Sequence, residues 1–356
     1  MHDPRGEREP RAGAQAAVRT RVQPSAGLLK LDAMENPHRL PPDLQAHLGQ
    51  RLGALALNRY PGERLNDLRA ALASYAGLPE GFALMLGNGS DELISLLAMA
   101  CDTPGASILA PVPGFVMYAM SAQLQGLKFI GVDLTADFEL DEAAMLAAIE
   151  KHQPTIVYLA YPNNPTANLW DDAVIEKIIA AAPGLVVMDE AYQPFASRSY
   201  IDRVARHPHV LLMRTLSKFG LAGVRLGYMM GPQALIEQVD KVRPPYNISV
   251  LNCEAALFAL EHAGTFAAQA QDLRAQRTRL QQALARLPGV KSWPSDANMI
   301  LIRVPDAGKV FEGLKARGVL VKNVSKMHPL LANCLRLTVG SADENTQLLA
   351  ALEAAL

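Results

Sequence analysis

Between Gly81 and Gly231 the chain alternates short apolar runs with turn residues and helix-like segments, and this alternation is the strongest constraint on its fold. Such a rhythm predicts β-α units, whose crossovers lay helices on the faces of a largely parallel sheet. SILAPVP, KFIGVDL, TIVYLAYPNNPT, GLVVMDEAY, VLLMRTLSK and VRLGYMMG are the strand segments. SDELISLLAMAC predicts a helix capped by Ser90, with Leu93, Leu96 and Leu97 inward. FVMYAMSAQLQG predicts one ending at Gly126, and Asp141 caps DEAAMLAAIEKH; DDAVIEKIIAAAP is a further amphipathic helix.

The character changes after Pro244-Pro245. Leu251 to Leu287 reads as helical with a break near Gly264, and MILIRV, VLVKNV and LRLTV follow as short strands, with helices around 306–317 and 343–355. The expectation is an α/β fold: a large domain with a mostly parallel central sheet covered by helices, plus a smaller α+β domain. Residues 1–25, rich in charged and turn-forming residues, are expected to be a disordered extension. Residues 26–60 pack partly on the small domain, 61–243 form the large domain, and 244–356 supply the interdomain helical region and the small domain. No repeated unit points to a solenoid.

A chain of 356 residues has ample material for two such cores. The formal charge of -1 argues against a long nucleic-acid contact. Cys101, Cys253 and Cys334 are too scattered for a thiolate metal site, and the histidines show no compact ligand spacing, so no metal is expected. Unpaired cysteines suit a reducing compartment. No apolar run is long enough for a membrane helix, and the amino terminus lacks an apolar signal centre.

The chemistry gathers at the predicted strand exits. Lys218 in TLSKFGLAGVR follows an apolar strand and sits beside small residues that permit close backbone approach; taken alone, such a residue is more often a solvated loop lysine. Asp189 ends VVMD, either facing a cleft or capping a helix. Tyr192, Arg225 and Asn164 add phenol, guanidinium and amide groups. GNGSDELI is a glycine-rich turn opening a helix, so the amides of Gly89, Ser90 and Asp91 suit a phosphate, although Ser90 and Asp91 equally suit an ordinary helix start.

Together, YPNNPTAN (161–168), MDEAY (188–192) and TLSKFGLAGVRLGY (215–228) closely resemble the fold-type I aminotransferases that use pyridoxal 5'-phosphate. KLDAMENP, NRYPG, GNGSDELI and VLVKNVSKMHPLLANCLRLTVG resemble the histidinol-phosphate aminotransferases within that group. The resemblance spans nearly everything after the first 25 or so residues. It implies that Lys218 holds the cofactor covalently and later moves a proton between the substrate α-carbon and C4' of the cofactor. It implies that Asp189 pairs with the protonated pyridine nitrogen and that Asn164 and Tyr192 donate to the phenolic oxygen. Tyr118 is expected to stack on the ring. Ser217 and Arg225 join Gly89, Ser90 and Asp91 on the cofactor phosphate, and Tyr60 reaches that phosphate from a neighbouring subunit of a homodimer.

For substrate, the resemblance assigns Arg336 to a carboxylate or phosphate, Lys322 to the terminal phosphate in place of an arginine, and Asn36 to the pocket. The implied reaction exchanges an amino group between L-histidinol phosphate and 2-oxoglutarate, giving imidazole-acetol phosphate and glutamate, in cytoplasmic histidine biosynthesis. An aromatic or other amino-acid aminotransferase, an amino-acid-phosphate decarboxylase and a non-enzymatic binding protein are the alternatives. Two departures stand out: AMEN replaces an ANEN-like form, and Ala167 stands where a glycine often follows NPT. The alanine predicts that no left-handed backbone is needed there.

Overall fold

The computed structural model describes residues 26–356; the expected extension, residues 1–25, lies outside them. The strands are β1 (Leu29–Lys30), β2 (Phe82–Gly87), β3 (Ser107–Val112), β4 (Lys128–Asp133), β5 (Ile156–Ala160), β6 (Leu185–Asp189) and β7 (Val210–Thr215). They continue as β8 (Gly227–Pro232), β9 (Lys291–Ser292), β10 (Met299–Arg303), β11 (Val319–Leu320), β12 (Lys322–Asn323) and β13 (Cys334–Thr338). Seven strands form the central sheet in the order β2-β8-β7-β6-β5-β3-β4. Only β8 runs antiparallel to its neighbours, so the sheet is mostly parallel.

The inner strands read as continuous apolar runs because both faces are covered. Successive residues therefore enter different cores: Ile108, Val187 and Leu211 face one side with Leu93 and Leu97, while Leu109, Val186 and Leu212 face the other with Ile175 and Ile178. The helices that matter for the site are α1 (Pro42–Gly53), α2 (Arg64–Ala76), α3 (Ser90–Ala100) and α4 (Val116–Gln125). Helix α4 ends at Gly126, whose φ of 76° closes it in the left-handed conformation. Asp141 caps its helix by accepting from the Ala144 amide.

A second core surrounds the antiparallel sheet β12-β13-β10-β9. The strand β1 joins this region by pairing in parallel with β11, and Leu31 and Met34 enter its core. The helix Val250–Glu261 instead buries Cys253, Ala256 and Leu257 in the large-sheet core. The changeover falls along the helix Ala263–Leu284, with Phe266 in the first core and Ala270 onward in the second.

Three local expectations are corrected. Gly89, with φ 82°, is the residue preceding α3, and Ser90 is its first helical residue without a capping side-chain bond. The helical break falls at His262, not Gly264, which lies inside the following helix. Ala167 does adopt a left-handed backbone, with φ 67°. Its amide donates to the Asn163 carbonyl, its own carbonyl accepts from the Asp296 amide, and its buried methyl packs in the second core. Tertiary bonding holds a conformation that costs an alanine about 1 kcal/mol.

Candidate active site

The ends of the parallel strands, the usual binding edge of such sheets, open onto a cavity of about 130 Å³. Asp189 closes β6, Asn164 follows β5, Ser217 and Lys218 follow β7, and Ser90 and Asp91 open α3; all line the cavity, with Tyr118, Tyr192 and Arg225.

Lys218 is partly buried, and its Nζ donates to the Ala33 carbonyl at 2.9 Å while lying 5.9 Å from the Tyr192 ring centre. Burial, reinforced by the charge of Arg336, lowers its pKa to about 8. With that pKa roughly a tenth of the amine is unprotonated at pH 7 and about half at pH 8, far more than for an ordinary lysine. Asp189 shows the complementary effect: burial lifts its pKa to about 6, against the pull of hydrogen bonds from Tyr118 and the Ala191 amide. Among the described residues no cationic side chain forms an ion pair with Asp189.

At the far side, Arg225 holds a left-handed backbone, φ 53°, and its guanidinium donates to Ser217 Oγ at 3.2 Å and Asp91 Oδ2 at 3.2 Å. Gly89 makes room for it: a Cβ there would lie 2.5 Å from Arg225 Nη2. The Gly89 amide is occupied by the Gly87 carbonyl at 2.8 Å, so Gly89 acts through its lack of a side chain and not as the expected phosphate donor. The first-turn amides of Ser90 and Asp91 have no intrahelical acceptor and point with the helix dipole.

Asn164 links two further groups. Its Nδ2 donates to Tyr192 Oη at 3.1 Å, and its Oδ1 accepts from Arg336 Nη1 at 2.6 Å. Arg336 Nη2 donates to the Asp32 carbonyl at 2.8 Å, while its buried Nε has no partner. Tyr192 keeps its hydroxyl proton free for donation, and burial raises its pKa.

Two further assignments differ from expectation. Tyr118 is unsuited to ring stacking: Tyr158 covers one face at 4.3 Å and 8°, and the hydroxyl donates to Asp189 Oδ2 at 2.6 Å. Phe115, partly exposed and lining the cavity, is the aromatic free for that task. Asn36 does not line the cavity; its Nδ2 donates to Gln269 Oε1 at 2.9 Å and its Oδ1 accepts from the His38 amide. The second residue of AMEN, Met34, lines it instead, with φ 53° and its amide on Thr338 Oγ1. That departure in the motif was the available signal.

Lys322 is half-buried on β12 directly opposite Arg336, hence on the same sheet face, and forms no ion pair among the described residues. Tyr60 is 77% exposed, stacked on Tyr246 with centres 4.5 Å apart, and outside its own chain's cavity.

The donor set fits pyridoxal 5'-phosphate. Ser90, Asp91, Ser217 and Arg225 match a phosphate, Asp189 a cationic ring nitrogen, Asn164 and Tyr192 a phenolate, and Lys218 an aldehyde. Among the described residues, no three His, Cys, Asp or Glu side chains are grouped to hold a metal ion, and no helix is long and apolar enough to cross a membrane.

Residues 27–352 match the family Aminotransferase class I and II. A histidinol-phosphate aminotransferase of Polaromonas naphthalenivorans is 75% identical over 99% of this chain and 98% of its own. The chain belongs to the histidinol-phosphate aminotransferases. A solved member of the family, from Sinorhizobium meliloti in complex with pyridoxal-5'-phosphate, superposes with a TM-score of 0.84 at 24% identity over 96% of each chain. An L-threonine-O-3-phosphate decarboxylase from Porphyromonas gingivalis also superposes, with a TM-score of 0.77 at 21% identity, covering 92% of this chain and 98% of that one. The fold is therefore shared with other chemistry, and family membership rests on the sequence match.

Proposed function

We infer that this protein transfers the amino group between L-histidinol phosphate and 2-oxoglutarate, with pyridoxal 5'-phosphate as cofactor, in cytoplasmic histidine biosynthesis. The observation that carries the reading is the meeting, in one cavity, of a buried amine poised near pH 8 with a buried carboxylate lacking a cationic partner.

When bound, the cofactor supplies a carbonyl that takes up the amino group and a ring that delocalises the electrons left as the α-proton departs. Ser217, Arg225 and the amides of Ser90 and Asp91 hold its phosphate. Asp189 keeps the ring nitrogen protonated, and Asn164 and Tyr192 donate to the phenolic oxygen. Lys218 would hold the cofactor's aldehyde carbon and would move the proton between the substrate α-carbon and C4'. Arg336 orients the glutamate carboxylate through its fork, its unpartnered Nε included. Lys322, on the same face, offers a charge to the terminal phosphate of histidinol phosphate.

Tyr60, turned outward, contacts the cofactor phosphate of a second copy, so each complete site needs a homodimer. The test incubates the protein and cofactor with histidinol phosphate and 2-oxoglutarate, with histidine, phenylalanine and tyrosine as rival donors. Glutamate formation fastest from histidinol phosphate supports the reading; faster turnover of the aromatic amino acids overturns it. Release of carbon dioxide without glutamate points to decarboxylation.

A further inference from the structure

The carboxylate of Asp189 is gripped from two sides: Tyr118 Oη donates to Oδ2 at 2.6 Å and the Ala191 amide donates to Oδ1 at 3.1 Å. The first of these is built rigidly. Tyr118 is 2% exposed, one face lies on Tyr158, and Phe115 meets it edge-on at 5.6 Å. Burial and the adjacent carboxylate keep its phenol protonated, so it can only donate to Asp189.

We propose that Tyr118 is a positioning residue for Asp189, holding its carboxylate ionised and oriented so that the cavity takes up a cationic ring nitrogen across a wider pH range. This rests on the reading of Asp189 as partner of the cofactor nitrogen. The physical need is plain from the surroundings. Desolvation favours the neutral acid, and so do the negative charges of Asp91 on α3 and of Glu190 next to Asp189, itself paired with Arg214. Tyr158 from β5 and Tyr192 beyond β6 also face the group, but neither donates to it. The Ala191 amide is backbone, which leaves Tyr118 as the side chain among the described residues that opposes protonation by a direct hydrogen bond.

Tyr158 supplies an internal control. Its hydroxyl is buried without a hydrogen-bond partner, so Tyr158→Phe retains the stack on Tyr118 and removes nothing from Asp189.

The experiment measures binding of pyridoxamine 5'-phosphate, which cannot condense with Lys218, to the cofactor-free protein from pH 5 to 9. Tyr118→Phe is expected to move the acid limb of affinity upward by about one pH unit, with Tyr158→Phe tracking the parent protein. An unmoved limb in Tyr118→Phe, or an equal shift in Tyr158→Phe, overturns the proposal. Should Tyr118→Phe fail to fold, difluorotyrosine at position 118 keeps the ring and donates more strongly; its limb is then expected to move downward, and an unmoved limb overturns the proposal. Asp189→Asn separates the two readings: loss of the limb supports Asp189 as the titrating partner, and persistence removes that reading together with the proposal.

Discussion

Arg336 Nη1 donates to Asn164 Oδ1 at 2.6 Å, and this bond ties β13 of the small sheet to the loop leaving β5 of the large one. The residue proposed to bind substrate and the residue proposed to bind cofactor thus share one amide. Asn164→Ala removes a partner from Arg336 and from Tyr192 together. Since each lost bond to a charged group is worth about 1.5–3 kcal/mol, KM for glutamate is expected to rise about 10- to 100-fold with a fall in kcat. Initial-rate kinetics decide it; an unchanged KM contradicts the coupling.

The amine of Lys218 is set near pH 8 by burial first and Arg336 second. The rate at which the cofactor-free protein is labelled by pyridoxal phosphate and borohydride is expected to rise through about pH 8, and Arg336→Leu to move that midpoint upward. The unfolded chain binds more protons at this lysine between about pH 8 and 10.5, so the penalty its burial places on folding is full below that window and is relieved as pH climbs through it. Lys218→Met is expected to abolish labelling yet raise the melting stability of the cofactor-free form at pH 7 by about 1–3 kcal/mol. A lower melting temperature counts against this.

Gly227 in β8 lies against the start of α3, where a Cβ would sit 2.6 Å from the Ser90 amide and 2.7 Å from Gly89 C. Both are backbone atoms that cannot swing aside. Gly227→Ala is expected to cost about 1–3 kcal/mol and to weaken cofactor binding by more than about tenfold as the amides of Ser90 and Asp91 shift. Calorimetry and equilibrium titration read the two effects.

Glu254, buried in the helix Val250–Glu261, accepts from Arg51 of α1 and from Arg64 of α2. These arginines flank the segment that carries Tyr60. Glu254→Gln leaves the helices in place but strips the charge between them, and is expected to destabilise by about 1–3 kcal/mol, reduced by the exposure of Arg64. The proposed homodimer is expected to dissociate more readily in this variant, as read by sedimentation; an unaltered constant argues against Glu254 bracing the segment that carries Tyr60.

The central sheet was legible because its inner strands are buried on both faces and punctuated by turns, a pattern that period and composition carry directly. Lys218 and Asn164 follow strands at the binding edge, Asp189 ends one and Arg225 precedes one, but it was the motifs around them, and not strand position alone, that made them legible. What escaped depends on three-dimensional partners. Ala167 carries no local sign of its positive φ, which the Asp296 amide and the second core impose. Tyr118 and Phe115 are both aromatics near the start of α4, and only the presence of Tyr158 and Asp189 decides which one packs inward. Asn36 and Met34 were exchanged for a similar reason: the AMEN turn adopts a positive φ at Met34, and Gln269 from a distant helix captures the asparagine.

The pairing of β1 with β11 joins residues from opposite ends of the described chain. During synthesis Leu29 and Lys30 leave the ribosome early and must wait, without their strand partners, until Val319 and Leu320 arrive. The large sheet can assemble in that interval, but the edge beside β11 stays open until the last part of the chain emerges. Because Ala33, just beyond β1, accepts from Lys218, the tether on that lysine hangs on a strand pairing that is completed only once Val319 and Leu320 have emerged.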